Sequence, residues 1–126
     1  MISFEAFLSS YGRENGRYEL RRGVPMPLAE PNANHEDVVA FLCLYLMNFC
    51  ETQGLALVPR QNKQIRLVPD EDGLISTRYG DIVVFDGGEW ERMKGLSISA
   101  VAYVAPPLVI EVVSTNWRDD YRVKLG

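Results

Sequence analysis

Two acidic residues of this sequence stand among apolar neighbours. Asp81 precedes the run Ile82–Phe85, and Glu111 lies inside the run Leu108–Val113. An ionised carboxylate in such surroundings is costly unless it is paired, hydrogen-bonded or bound to a metal, and otherwise its pKa rises. A divalent cation between the two acids would supply the missing charge and take their oxygens as ligands. Alternatively, each acid faces solvent or pairs with an arginine, for which Arg60, Arg66 and Arg78 are available.

Three further residues have side chains that suit such a site. Lys124 falls about two turns into a helix predicted after Glu111, where an ammonium group can polarise a water or steady a phosphate. Alternatively, Lys124 forms an ion pair with Asp120 on a solvent-exposed face of that helix. Glu19, on a predicted hairpin, is either a third metal ligand or an outward-facing strand residue. His35, the only histidine, is predicted in the first turn of a long helix, either near a ligand or on the surface.

The elements that must position these residues follow from the spacing of apolar and turn residues. Ser3 is predicted to cap a short helix, Arg17–Met26 to form a hairpin, and Asn34 to cap a long helix that ends near Thr52. Apolar residues cover nearly the whole circumference of the long helix, which predicts that it is buried. Extended chain is predicted for Leu55–Val68.

Two strands carry the acidic residues. Tyr79–Asp86 and Leu108–Val113 are apolar on both faces, which is typical of strands covered by helices on both sides. The stretch Glu89–Ser99 between them is predicted to be mobile, and Asn116 is predicted to cap the helix that contains Lys124. This order of elements predicts an α/β fold with a mixed central sheet flanked by helices, preceded by an N-terminal helix and hairpin.

Composition limits the function classes. The 126 residues fit a single domain, 1–126, and 47% hydrophobic with 24% charged residues indicates a globular protein. A net charge of −4 gives no general attraction to nucleic acid or to an anionic membrane. Cys43 and Cys50 lie too far apart on one helix to form a disulfide. The absence of a signal peptide and of a membrane span predicts a cytoplasmic protein, and one histidine argues against a zinc site.

The combination of motifs resembles the Uma-two-like restriction endonucleases, a family within the PD-(D/E)XK nuclease superfamily. The resemblance extends over essentially the whole chain. The residues that carry it are Arg17-Tyr18-Glu19-Leu20, His35, Arg78-Tyr79-Gly80-Asp81-Ile82-Val83-Val84, Pro107-Leu108-Val109-Ile110-Glu111-Val112-Val113-Ser114, Asp120 and Lys124.

This resemblance implies a restriction-endonuclease-like core and hydrolysis of phosphodiester bonds with Mg²⁺ or Mn²⁺. Asp81 and Glu111 would be the catalytic, metal-binding acids and Lys124 the catalytic lysine, on the helix after the strand rather than two residues after the acid. Glu19 would be a further metal ligand, and His35 a further member of the site. The implied partner is nucleic acid, DNA in the first place.

The sequence departs from the family pattern at two places. Gly80 stands where the family usually has proline before the acid. The chain ends at Gly126, where members continue into a further core strand, so the C-terminal core strand is expected to be missing and an apolar sheet edge to be open. This leaves a second function open, that of a catalytically inactive interaction or binding module that forms a homodimer or higher oligomer.

Overall fold

The computed structural model describes residues 1–11 and 17–113. Within them the chain forms three helices and five strands, which confirms the predicted α/β class. Asn116 and Lys124, and the helix predicted to contain them, lie outside the described residues. In chain order the elements are α1 (Phe4–Ser10), β1 (Arg17–Arg21), β2 (Val24–Leu28), α2 (Ala33–Thr52), β3 (Leu57–Arg66), β4 (Thr77–Asp86), α3 (Gly87–Leu96) and β5 (Leu108–Ile110).

The described strands form two antiparallel sheets. β1 and β2 are the predicted hairpin, and β3, β4 and β5 form a sheet in that order with β4 in the centre. The segment after α3 adds one isolated parallel bridge between Ile65 and Ala102 at the outer edge of β3. The hairpin lies against the first half of β4, where the Leu20 amide donates to the Thr77 hydroxyl at 3.0 Å.

Helices cover both faces of β4, as its continuous apolar sequence predicted. Ile82 and Val84 pack against Val39 and Cys43 of α2, so this side is named the α2 face. Val83 and Phe85 form a second buried cluster with Met93 of α3, which defines the α3 face.

The prediction of a mobile stretch over Glu89–Ser99 is wrong, because α3 begins at Gly87. Asp86 caps this helix, and its carboxylate accepts a hydrogen bond from the Glu89 amide at 3.1 Å. The Asp86-x-x-Glu89 spacing is a helix-start signal that the adjacent glycine pair obscures. Met93 then anchors the helix in the core.

Two predictions about α2 need correction. Its cap is Asn32, whose side chain accepts from the His35 amide at 2.8 Å, so the helix begins one residue before the predicted cap Asn34. The prediction that α2 is buried around nearly its whole circumference is also wrong. Among residues 1–11 and 17–113, the β3–β5 sheet packs against one side of the helix, and Phe41 and Tyr45 are 68% and 60% exposed. Within the described ranges, no helix has the length and apolar character needed to cross a membrane.

Gly80 provides close contact between β4 and its neighbours. A Cβ atom at this position would lie 2.8 Å from Val109 Cγ1 and 2.8 Å from Val83 Cγ2. Gly80→Ala should therefore lower the free energy of unfolding by about 1–3 kcal/mol through overpacking. Urea denaturation monitored by circular dichroism measures this change.

The matched control is Gly95→Ala in α3, where nothing lies within 4 Å of the added Cβ. This change should stabilise the helix by up to about 1 kcal/mol, because alanine has the higher helix propensity. Equal stabilities of the two variants would contradict the close packing at Gly80.

Candidate metal centre

An irregularity in the sheet determines where Asp81 points. The β3–β4 pairing stops at Gln61–Ile82 and resumes at Lys63–Gly80, so the intervening pair of Asn62 and Asp81 is missing. Asn62 has a positive φ of 52°, a conformation that asparagine adopts more readily than most residues. Strict alternation would place Asp81 on the α3 face with Val83. Its carboxylate instead contacts His35 of α2, so Asp81 and Ile82 both lie on the α2 face.

The start of α2 holds the second residue of the site. His35 lies in the first helical turn, and its backbone amide is fixed by the Asn32 side chain. The imidazole is well shielded, with a side-chain exposure of 13%. Its Nδ1 atom is buried and has no hydrogen-bond partner within the described part of the chain, whereas Nε2 faces the sheet.

Three polar atoms converge at this point. His35 Nε2 lies 3.2 Å from Asp81 Oδ2 and 3.1 Å from the Val112 carbonyl oxygen. The Val112 amide donates to the same Asp81 oxygen at 2.7 Å. We call these atoms (His35 Nε2, Asp81 Oδ2 and Val112 O) the convergent cluster. One imidazole nitrogen carries at most one proton, so it has two acceptor oxygens in reach and a single hydrogen to share between them.

The hydrogen bond from Val112 also explains why β5 is shorter than predicted. The run Leu108–Val113 was expected to be a strand throughout, but β5 ends at Ile110. The Val112 amide bonds to the Asp81 side chain instead of continuing the ladder with β4. The end of β5 is therefore fixed by the candidate site itself.

The convergent cluster fits a divalent cation. Ligands in an octahedral shell at about 2.1 Å from an ion are about 3 Å apart, close to the 3.2 Å and 3.1 Å that separate His35 Nε2 from Asp81 Oδ2 and from the Val112 carbonyl oxygen. An ion in place of the shared proton would contact all three. Imidazole nitrogen suits transition metals, and carboxylate and carbonyl oxygens suit Mg²⁺ and Mn²⁺, so the mixed set favours Mn²⁺ over Mg²⁺.

Glu111 lies apart from this cluster. It stands between Ile110 and Val112, which both pack toward α2, and its carboxylate forms an ion pair with Arg78 at 3.4 Å. The side chains of Glu111 and Arg78 are 55% and 63% exposed, so the expectation that Glu111 is buried is wrong. An exposed pair of this kind contributes no more than about 1 kcal/mol and can separate readily.

Glu19 lies beside Tyr79 and Arg17 at the junction of hairpin and sheet. The Arg17 guanidinium stacks over the Tyr79 ring at 5.3 Å and donates to Asn62 Oδ1 at 3.2 Å. Burial raises the pKa of Tyr79 above its usual value of 10.0, and the nearby Glu19 charge acts in the same direction. Arg17 and a hydrogen bond from Gln64 act against this shift.

The structure thus brings together His35, Asp81 and the Val112 backbone. It does not bring the carboxylates of Glu111 and Glu19 into the same cluster, and Lys124 lies outside the described residues. Within those residues, no group of three or more His, Cys, Asp or Glu side chains is placed to hold a metal ion. The position of His35 at a helix start was a sequence signal for its role. The Val112 carbonyl had no such signal in the sequence, because every residue has a backbone carbonyl.

Comparison with known proteins gives one match. A family model named Uma2 and described as putative restriction endonuclease matches residues 4–126. No curated protein and no solved structure matches the chain.

Proposed function

Since the chain belongs to the Uma2 family, whose model is described as putative restriction endonuclease, we propose that it is a metal-dependent endonuclease that hydrolyses phosphodiester bonds in nucleic acid, with DNA as substrate. The observation that carries this proposal is the convergence of His35 Nε2, Asp81 Oδ2 and Val112 O. Family membership supports the nuclease class, and the three atoms support a divalent cation as cofactor, Mn²⁺ or Mg²⁺.

Each residue has a defined part in this proposal. Asp81 supplies a charged oxygen, His35 a nitrogen and Val112 a carbonyl oxygen to the ion. When bound, the ion lowers the pKa of a water and neutralises charge on the scissile phosphate. The Val112 amide orients the Asp81 carboxylate through its 2.7 Å hydrogen bond. The shielding of His35 and Asp81, whose side chains are 13% and 19% exposed, strengthens the electrostatic interactions in the site.

Glu111, Lys124 and Glu19 complete the proposed site. Glu111 follows β5 directly and is adjacent to Val112, and its weak pair with Arg78 leaves the carboxylate free to turn toward substrate or water. We assign Lys124 the role of orienting the attacking water or neutralising the phosphate. Glu19 is assigned as a further metal ligand from the hairpin.

Plasmid DNA cleavage tests the proposal. The chain should cut in Mn²⁺ or Mg²⁺ and not in EDTA, and Glu111→Gln and Lys124→Gln should each slow cleavage by about 100-fold or more. Glu19→Gln should lower the affinity for the metal, so that more metal is needed for cleavage. The rate at saturating metal should stay the same. Each rate is measured from the conversion of supercoiled plasmid to its nicked form.

The matched control is Glu91→Gln. Glu91 is also an exposed glutamate with a cation 3.4 Å away, Lys94, but it lies on α3. Its rate should equal that of the original chain. Absence of cleavage with either metal, or equal losses in the Glu91 and Glu111 variants, would contradict the proposal.

One observation favours a second function, that of a catalytically inactive dimeric module. Among the described residues, α2 exposes six large apolar side chains, and β5 exposes two more. On α2 they are Val38, Phe41, Leu44, Tyr45, Met47 and Phe49, and on β5 Leu108 and Val109. Large amounts of exposed apolar surface often mark a protein interface. A monomer in sedimentation experiments combined with metal-dependent cleavage would exclude this function.

A further inference from the structure

A polar cavity lies at the edge of β3. Its volume is about 300 Å³, which is at the lower end of the range for small-molecule sites. α1 contributes Leu8, the loop after α3 contributes Ser99, and the sheet contributes Asn62, Lys63, Gln64 and Tyr79. Asn62 also lines the cleft that His35 lines, so the cavity shares one bordering residue with the cleft at the candidate metal centre.

The charge of the cavity is positive. Lys63 is half-buried, and no carboxylate of residues 1–11 or 17–113 forms an ion pair with it. None of the described lining residues is acidic. Lys63 lines the cavity with its positive charge and without a carboxylate partner among these residues, so the site is suited to an anion.

The hydrogen bonds around Tyr79 leave its hydroxyl proton available. The Thr77 hydroxyl donates to Gln64 Oε1 at 2.6 Å, so the Gln64 amide group is left to donate to the Tyr79 oxygen. The phenol oxygen then accepts from Gln64, and its own proton can be donated to a ligand in the cavity that Tyr79 lines. The Arg17 guanidinium stacks over the Tyr79 ring at 5.3 Å, so a cation borders the phenol.

Asn62, like Lys63 and Tyr79, has hydrogen-bond donors available. Its Oδ1 accepts the hydrogen bond from Arg17, which leaves the two amide hydrogens as donors. The cavity therefore offers three donors, on Lys63, Tyr79 and Asn62, in a region without a carboxylate acceptor among its described lining. Donors of this number and charge match the oxygens of a phosphate group.

We propose that this cavity is an anion subsite that binds a phosphate group through Lys63, Tyr79 and Asn62. Because Asn62 lines both this cavity and the cleft of His35, we identify the anion as a phosphate of the nucleic acid strand that is cleaved, and this identification rests on the proposed function. The binding of phosphate itself does not depend on it.

Titration with inorganic phosphate in the presence of EDTA tests the site without any need for catalysis. In ¹H–¹⁵N NMR spectra, phosphate should shift the amides of Asn62, Lys63 and Ser99 with saturable curves. Lys63→Gln should weaken binding by at least about tenfold, and Tyr79→Phe by about threefold to tenfold. The spectra of both variants also report whether the fold is kept.

The matched control is Lys94→Gln, because Lys94 is exposed on α3 and already pairs with Glu91. It should bind phosphate like the original chain. Absence of shifts at tens of millimolar phosphate, or the same affinity in the Lys63 and Lys94 variants, would overturn the proposal.

Two oligonucleotides distinguish the sources of the phosphate. A short DNA strand with a 5′-phosphate should bind more tightly than the same strand with a 5′-hydroxyl, and Lys63→Gln should remove the difference. If inorganic phosphate binds but the two strands bind equally, the site takes a free phosphate ligand and its assignment to the substrate is overturned. Phosphate binding in a chain that cleaves nothing would uphold the subsite and contradict the endonuclease.

Discussion

Asp81→Asn should abolish metal-dependent cleavage while leaving the fold intact. Asparagine has the same shape, and its side-chain oxygen can still accept the hydrogen bond that the Val112 amide gives to Asp81 at 2.7 Å. The negative charge is lost, and with it the main attraction for a divalent cation. Loss of an outer-shell partner alone costs about 10–100-fold in metal affinity or activity, so loss of this ligand should cost at least about 100-fold.

The matched control for this variant is Asp86→Asn on the same strand. Asp86 caps α3, a position that asparagine fills as well as aspartate does. Both variants should unfold at nearly the same urea concentration as the original chain, and only Asp81→Asn should lose cleavage. Retained cleavage in Asp81→Asn would remove this carboxylate from the site.

His35→Gln should weaken metal binding by about 10–100-fold. Glutamine lacks the imidazole nitrogen that lies within 3.2 Å of both oxygens of the cluster. An ion that binds only the folded state raises the unfolding temperature, so the shift caused by Mn²⁺ measures affinity without any reference to activity. This shift should be large in the original chain and small in the variant. Cleavage by the variant should recover at high metal concentration.

Asn34→Ala supplies the control for the histidine variant. Asn34 is the exposed residue that precedes His35 in the first turn of α2. Its removal should leave both the Mn²⁺ shift and the cleavage rate unchanged. Equal Mn²⁺ shifts in His35→Gln and the original chain would place the ion elsewhere.

Local patterns in the sequence predicted most of the fold. The i, i+3, i+4 spacing after Ser3 predicted α1, and the alternation around Arg22-Gly23 predicted the hairpin. The uninterrupted apolar run in β4 predicted a strand covered on both faces, and α2 and α3 provide that cover. These features depend on burial and turn conformation, which are determined by the types of residues close together in the sequence.

The geometry of the site depends on interactions that local patterns do not contain. Alternation along β4 gives no sign that Asp81 turns to the α2 face, since the irregularity at this point lies opposite Asn62 of another strand, which has a positive φ. The Val112 carbonyl leaves no trace in sequence. Glu111 looked buried because its neighbours are apolar, yet its side chain, just after the end of β5, reaches solvent and Arg78.

The most direct test is the position of a bound ion. A crystal soaked in Mn²⁺ should show an anomalous-scattering peak about 2.1–2.3 Å from His35 Nε2, Asp81 Oδ2 and the Val112 carbonyl oxygen. No peak at saturating Mn²⁺, with His35 still hydrogen-bonded to Asp81, or a peak bound by other residues, would contradict the account.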